Sequence, residues 1–558
     1  MSHPSLLALG AVAAAVLAGC GSPAPRSTPV ACTELPTAMA AMKNLRITAA
    51  KDVPDDGKGT PAHCQVTGVA NERTGSDGRH YAIGFEMRLP AQWNQRFLHQ
   101  VNGGNDGKVV PALGALQVLA KNGLQRGFAV ISSDAGHRED DPANNSSGLA
   151  RGNVFGLDPQ ARRDYGYSAN DTMFTVAQAL IKSRYGEAPQ RNYMVGCSNG
   201  GRHALVAASR YGERYDGILA GAPGLNLPKA AVQHAWDVQS WQMADPDIRK
   251  AFSPDDMKLV AAKVLERCDA LDGAVDGMVG DLPRCQGAFK LADLQCSGDK
   301  TPQCLSAKQV SALQRAFAGP RNSKGELLYS DWSWDAGVGS GNWRFWKLES
   351  QIPPWNRLPL IATMGAGSLS YIFSTPPVAT PGSPDELLKF LSRFDFDRDA
   401  PRIYARDATY GESAMQFMAP PDVDDPKLAS FRAHGGKLIV YHGNSDPVFS
   451  VNDTTRWFGK LQANAGAESF ARFYPVPGMA HCAGGPATDR FDALGALVEW
   501  VEQGKAPGPL TATVNAENKE LPASWAKTRT RPLCPWPQVA RYAGGDLESA
   551  ASFRCAAP

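Results

Sequence analysis

Apolar and polar positions along this chain follow two regimes. Residues 80–89 (HYAIGFEMRL) alternate in part and are rich in strand formers, and residues 96–101 follow as another strand. Residues 127–132 (GFAVIS), 193–195 and 217–221 (GILAG) are instead continuous apolar runs, the mark of strands buried on both faces of a parallel sheet. Helical stretches fall between them. Residues 170–185 place Met173, Val176, Ala177, Leu180 and Ile181 on one face, with Ser168 or Asn170 able to cap the first turn. Residues 115–122 and 202–211 also read as helix, and residues 31–64 as irregular. Strand, helix, strand, helix in this order predicts an α/β fold with a mostly parallel sheet.

The alternation stops near Pro223 and resumes beyond residue 424 with a buried strand at 437–441 (KLIVY), a helix at 451–465, a strand at 469–475 and a helix at 491–503. Between them, helical stretches at 254–268 and 306–318 sit among Pro- and Gly-rich turns. The pattern predicts one core, 31–223 and 425–558, interrupted by a lid domain at 224–424 over the C-terminal ends of the strands, where open sheets place their sites. Seven of the twelve tryptophans fall in the insertion: Trp236, Trp241, Trp332, Trp334, Trp343, Trp346 and Trp355. Most should fill its core, with one or two facing a site suited to a flat or aromatic ligand.

Composition narrows the class without changing this picture. Hydrophobic content of 43%, charged content of 20% and a net charge of +2 are those of a globular protein with no polyanionic partner, and no nucleic-acid motif is present. Residues 1–20 form an export signal, with a short apolar stretch at 6–17 ending in Leu17-Ala18-Gly19-Cys20. That ending resembles a bacterial lipobox, in which Cys20 would carry the lipid, although the leading residues hold no Lys or Arg; an ordinary cleaved signal peptide is the alternative. Residues 21–30, rich in Ser and Pro, read as a tether. The expected location is periplasmic, outer-membrane or extracellular. Ten further cysteines, none in a C-x-x-C pair, point to five disulfides rather than a thiolate zinc site. Proximity suggests Cys32–Cys64, Cys268–Cys285, Cys296–Cys304 and Cys534–Cys555, leaving Cys197–Cys482 as the long-range pair.

The chemistry centres on Gly196-Cys197-Ser198-Asn199-Gly200, a G-x-S-x-G between a strand and a helix, as a nucleophile elbow requires. In a chain with 55 glycines the pattern alone is weak, and a Gly-rich surface turn is the bland alternative. A serine nucleophile needs a base and a carboxylate to orient it, and in this fold they follow in the order Ser, Asp, His. Asp446 follows the strand at 437–441, and His481 follows the strand at 469–475. The Gly-rich turn at 102–107, straight after a strand, could offer backbone N–H groups to an oxyanion or a phosphate. Cys197 precedes Ser198 and Cys482 follows His481, so a disulfide between them would tie nucleophile to base through the backbone.

Taken together, GCSNGG (196–201), YHGNSDPVFS (441–450), PGMAHCAGG (477–485) and the cysteines flanking Ser and His resemble the tannase and feruloyl esterase family of α/β-hydrolases. FGLDPQAR (155–162), CDALDG (268–273), FDFD (394–397) and TRPLCPWPQVARY (530–542) look most like its mono(2-hydroxyethyl) terephthalate hydrolase-like subgroup. The resemblance implies Ser198, Asp446 and His481 as a triad, with the backbone N–H groups of Gly104 and Asn199 as the oxyanion hole. It also implies a structural calcium in the lid, held by Asp269, Asp272 and Asp276 with the main-chain carbonyls of Ala274 and Met278, and no organic cofactor. Trp346, His442, Phe449 and Met364 match positions that line the subgroup's aromatic pocket. The lid arginine that holds a terephthalate carboxylate has no counterpart in 360–373 (LIATMGAGSLSYIF), and Arg357 is the nearest cation. The expected function is a monomeric serine carboxylesterase acting on aromatic acid esters, feruloyl or benzoate type first, terephthalate monoester or galloyl ester second. A non-catalytic surface lipoprotein that binds aromatic compounds is the rival from another class.

Overall fold

The computed structural model describes residues 28–558, so the export signal, Cys20 and most of the tether lie outside the described residues. Nine strands form the main sheet: β1 (Leu45–Val53), β2 (His63–Thr74), β3 (His80–Pro90), β4 (Arg96–Gln100), β5 (Ala129–Ser133), β6 (Arg191–Cys197), β7 (Gly217–Gly221), β8 (Lys437–Gly443) and β9 (Ala471–Val476). Their order across the sheet is β1-β2-β3-β5-β4-β6-β7-β8-β9. From β5 to β9 every neighbour is parallel. These short strands are buried on both faces, which is why they read as continuous apolar runs. β1, β2 and β3 add an antiparallel flank that pairs onto β5.

Parallel strands end on the same side of a sheet, so the turns after β4, β6, β8 and β9 converge there. Between β7 and β8 the chain contributes no strand to this sheet and folds instead into helices, among them Leu227–Ala244, Pro254–Cys268, Ala307–Phe317, Leu360–Gly367 and Pro384–Ser392. Two of these helices start with reciprocal capping boxes, Ser253 with Asp256 and Ser306 with Gln309. The insertion shares one continuous apolar cluster with the antiparallel flank, running from Val66 and Phe85 through Met173 to Trp241, Val260, Leu313 and Leu387. Five disulfides join the expected cysteine pairs, which marks a protein of an oxidising compartment. No helix among the described residues is long and apolar enough to cross a membrane.

Two local expectations fail. Residues 31–64 are not irregular: they carry β1, an edge strand largely exposed to solvent, and the first two residues of β2, too few to show the alternation that continues beyond residue 64. Residues 115–122 form turns rather than a helix. Gly114, with φ of +65°, and Gly123 close the segment back on itself and pack on Leu98, where an added Cβ would stand 2.4 and 2.3 Å from its Cδ2. That close approach outweighs the helix propensity of the intervening residues.

Candidate active site

β6 delivers the chain into a sharp turn at Ser198, whose φ of 67° and ψ of −128° lie outside the regions L-residues favour. Such a conformation costs on the order of 1–3 kcal/mol and needs neighbours that over-determine it. The flanking glycines let those neighbours close in. A Cβ on Gly200 would meet the Val101 carbonyl oxygen at 2.5 Å, and one on Gly201 the Gly221 carbonyl oxygen at 2.3 Å. The helix Asn199–Arg210 then starts at once, so the Asn199 N–H belongs to a helix N-terminus, where unsatisfied donors and the positive end of the dipole gather.

The loops after β8 and β9 bring the other two residues to this turn. His481 Nε2 lies 2.8 Å from Ser198 Oγ, and His481 Nδ1 lies 2.7 Å from Asp446 Oδ2. The second Asp446 oxygen accepts the backbone N–H groups of Val448 (2.7 Å) and Phe449 (3.1 Å). Burial alone would raise the Asp446 carboxyl, but the His481 and His442 imidazoles outweigh it and hold the group well below the usual carboxylate range. Asp446 is therefore ionised and able to fix the imidazole's tautomer. Cys197 and Cys482 are bonded, with their Cα atoms 6.1 Å apart, so the elbow and the histidine loop are covalently joined one residue from Ser198 and from His481.

Gly104, at φ 64°, sits in the turn after β4. A Cβ on its neighbour Gly103 would lie 3.9 Å from Ser198 Oγ, so this turn borders the nucleophile. Trp346 and Phe449 set their rings edge-on to the His481 imidazole, at 5.0 and 5.6 Å between centroids. A cavity of about 740 Å³ opens beside the Gly103–Gly104 turn, with Trp355, Leu360, Thr363 and Met364 among its walls. The other tryptophans of the insertion mostly pack: Trp241 and Trp343 are buried, and Trp334 stacks on Phe317 at 3.7 Å.

His442 departs from its expected place on the aromatic pocket. It is fully buried, with Nδ1 2.9 Å from Thr454 Oγ1 and Nε2 3.0 Å from the Phe449 carbonyl oxygen. It stands 3.3 Å from Asp446 Oδ2 and so braces the carboxylate rather than a ligand. Arg357 does not stand in for a lid arginine, because its guanidinium is bound by Glu349, which Arg344 also engages. Lys108 and Arg151, both exposed, line the 740 Å³ cavity instead.

In the acidic loop at 269–278, Asp269 accepts the N–H groups of Asp276 (3.0 Å) and Gly277 (2.9 Å), and Asp272 accepts that of Ala274 (2.9 Å). Asp276 accepts the Met278 N–H (3.1 Å) and pairs with Arg531. Burial first, and then the charges of Asp276 and Asp269, push the Asp272 carboxyl up to about 7. Crowded, mutually repelling carboxylates fit a hard divalent cation, which would relieve that repulsion. Among the described residues, no group of three or more His, Cys, Asp or Glu is already arranged as a metal cage.

Asp335 gave no sign of itself in the sequence. This buried carboxylate from the insertion accepts from Ser445 Oγ (2.7 Å) and the Gly478 N–H (2.8 Å), so it joins the two loops that carry Asp446 and His481. Its partners lie more than a hundred positions away, a distance at which spacing carries no signal.

A mostly parallel sheet, a serine on a strained strand-to-helix turn, and a histidine and an aspartate on later strand-end loops define an α/β-hydrolase. The chain belongs to the tannase and feruloyl esterase family, whose family model matches residues 64–556, and it is a carboxylic ester hydrolase. It is 43% identical over 528 residues to a mono(2-hydroxyethyl) terephthalate hydrolase of Piscinibacter sakaiensis, covering 89% of this chain and 85% of that one. Among solved structures, feruloyl esterase B from Aspergillus oryzae superposes with a TM-score of 0.72 at 22% identity, covering 94% of this chain and 99% of that one. Tannin acyl hydrolase from Aspergillus niger superposes with a TM-score of 0.65 at 19% identity, covering 93% and 92%. At these identities the two structures speak for the fold.

Proposed function

We propose that this chain hydrolyses esters of aromatic carboxylic acids through a covalent acyl-enzyme on Ser198. The observation that carries the reading is the continuous hydrogen-bonded line Ser198 Oγ, His481, Asp446, flanked by the rings of Trp346 and Phe449. Ser198 Oγ attacks the ester carbonyl while His481 Nε2 takes its proton, and Asp446 steadies the resulting imidazolium. The N–H groups of Gly104 and Asn199 receive the charge on the carbonyl oxygen. His481 returns the proton to the leaving alkoxide, the C–O bond to the alcohol breaks, and water repeats the sequence to free the acid and Ser198. The imidazole works among aromatic rings, so a flat acyl group stacks where an aliphatic one leaves gaps.

Feruloyl or other benzoate-type esters are the first substrate class. The relative named as a mono(2-hydroxyethyl) terephthalate hydrolase favours a terephthalate monoester as the second, with Lys108 or Arg151 as the cation available to its free carboxylate. A hydrolysis panel of methyl ferulate, methyl gallate and mono(2-hydroxyethyl) terephthalate separates these. The first reading predicts the highest kcat/KM on methyl ferulate. A clear preference for the terephthalate monoester, lost selectively in Arg151→Ala or Lys108→Ala, would establish the second. No turnover of any of the three would overturn both.

The proposal includes a structural calcium in the 269–278 loop, with Asp269, Asp272 and Asp276 as carboxylate donors and the Ala274 and Met278 carbonyls completing the set; it supplies charge neutralisation there and no step of ester cleavage. It also includes export, with a lipid on Cys20 as its finer form. The five disulfides support export.

A further inference from the structure

The two oxyanion donors come from different elements, the turn after β4 and the first residue of the elbow helix. Their spacing must be held to a fraction of an ångström for both to meet one oxygen. Directly behind them lies a buried polar cluster that ester cleavage does not use. The turn is closed by the Asp106 N–H donating to the Gly103 carbonyl (3.3 Å). The Asp106 carboxylate crosses to the other element, where Asn199 Nδ2 donates to its Oδ2 (2.7 Å). Asn199 Oδ1 in turn accepts from Arg202 Nε (2.7 Å). Arg202 is fully buried and donates through Nη1 to the Gly166 carbonyl (2.6 Å) and through Nη2 to the Tyr165 carbonyl (3.0 Å). His203 Nε2 lies 2.9 Å from Asp106 Oδ2, and Asn170 Nδ2 lies 3.0 Å from His203 Nδ1.

We propose that the Asp106–Asn199 side-chain bond, anchored by Arg202 and His203, is the clamp that sets the distance between the Gly104 and Asn199 N–H donors. Asp106 and the Asn199 side chain are thus positioning groups for the oxyanion hole. One bond spans the gap between residues that are, or lie two positions from, the donors themselves. Its surroundings are rigid. The Asp106, Arg202 and His203 side chains are almost wholly excluded from solvent, and a satisfied polar network in such a medium is stiff and specific. Burial first, and then the Arg202 charge, keep His203 neutral, and burial raises the Asp106 carboxyl well above its ordinary range; Arg202 Nη2 lies 2.8 Å from His203 Nε2 and 3.2 Å from its Nδ1, so the guanidinium, the imidazole and the carboxyl lock together. The turn is also held from its far side: His137 Nε2 lies 2.8 Å from the Asn105 carbonyl oxygen, and Asn105 Nδ2 donates to Asn153 (2.5 Å) and to Ser368 of the insertion (3.0 Å).

The inference rests on Ser198 being the nucleophile, and its test is chosen to fail separately. Asn199→Ala keeps the backbone donor and removes the side-chain bond to Asp106 together with the Arg202 anchor on Asn199 Oδ1; Asp106→Ala removes the acceptor itself and leaves the Arg202 anchor in place. The readouts are kcat and KM on a p-nitrophenyl ester and the affinity for an aryl trifluoromethyl ketone, whose adduct with Ser198 carries the oxyanion. The clamp predicts a kcat loss of about ten- to hundredfold in each variant, with KM held within about twofold and ketone affinity weakened by the same factor as kcat. A merely structural role would lower Tm and leave kcat per folded molecule and ketone affinity unchanged. Parental kcat and ketone affinity in either folded variant would overturn the clamp, and Asp106→Ala decides alone if Asn199→Ala does not fold. Loss of Ser198 without loss of turnover would instead overturn the esterase mechanism.

Discussion

At the residue scale, the site is a set of buried polar groups whose states are fixed by what faces them. Asp446 is kept ionised by two imidazoles, whereas Asp134 shows the opposite balance. Burial pushes its carboxyl up to about 7, against the N–H bonds it accepts from Gly136 and Gly84. A carboxyl raised in the folded state lends stability in acid, above all below its unfolded value, and loses it as pH rises through about 7. Tm should therefore fall between pH 5 and pH 8 more steeply in the parent than in Asp134→Asn, with a gap of about 3 °C or more opening by the upper end. Parallel Tm–pH curves would refute the assignment. Ser198, Asp446 and His481 were legible in the sequence because each stands at a strand's end in the order this fold requires. Asp335 and Asp106 were not, since their partners are remote in sequence and their residue types are common; His442 stands only four residues from Asp446, but spacing does not tell that its ring turns inward to the carboxylate rather than toward a ligand.

At the scale of elements, the Cys197–Cys482 bond links the turn after β6 to the loop after β9. Closing a loop of this length contributes roughly 5–6 kcal/mol in the chain-entropy model. Its placement matters more for geometry, because it fixes the backbone one residue from both reacting side chains. The double variant Cys197→Ser with Cys482→Ser should lower kcat by about tenfold or more while near-native circular dichroism persists. Unchanged kcat would mean the loops hold their register without it. The parallel strands announced themselves as unbroken apolar runs. β1 did not, because the alternation of Leu45-Arg46-Ile47-Thr48 is broken by a register irregularity between Ile47 and Ala49 and then by Lys51 and Asp52. The helix expected at 115–122 failed because propensity does not see the close approach of Gly114 and Gly123 to Leu98.

At the scale of the whole molecule, the insertion is built onto the core rather than hinged beside it. Its apolar cluster is continuous with the antiparallel flank, and Asp335 ties it to both loops beyond β8 and β9. A calcium in the 269–278 loop would stiffen this body through Asp276, which also pairs with Arg531 of the C-terminal segment. Chelation should lower Tm by about 5 °C or more, reversed by added calcium, and leave turnover at low temperature in place. A Tm indifferent to chelator would remove calcium from the account.

The central claim, an aromatic acyl group carried on Ser198, is tested most directly by rapid quench with p-nitrophenyl ferulate followed by peptide mass spectrometry. The account predicts a feruloyl adduct on the peptide bearing Ser198, formed in a burst and absent, together with turnover, in Ser198→Ala. Full turnover by Ser198→Ala, or steady hydrolysis by the parent with no burst and Ser198 unmodified throughout, would contradict it.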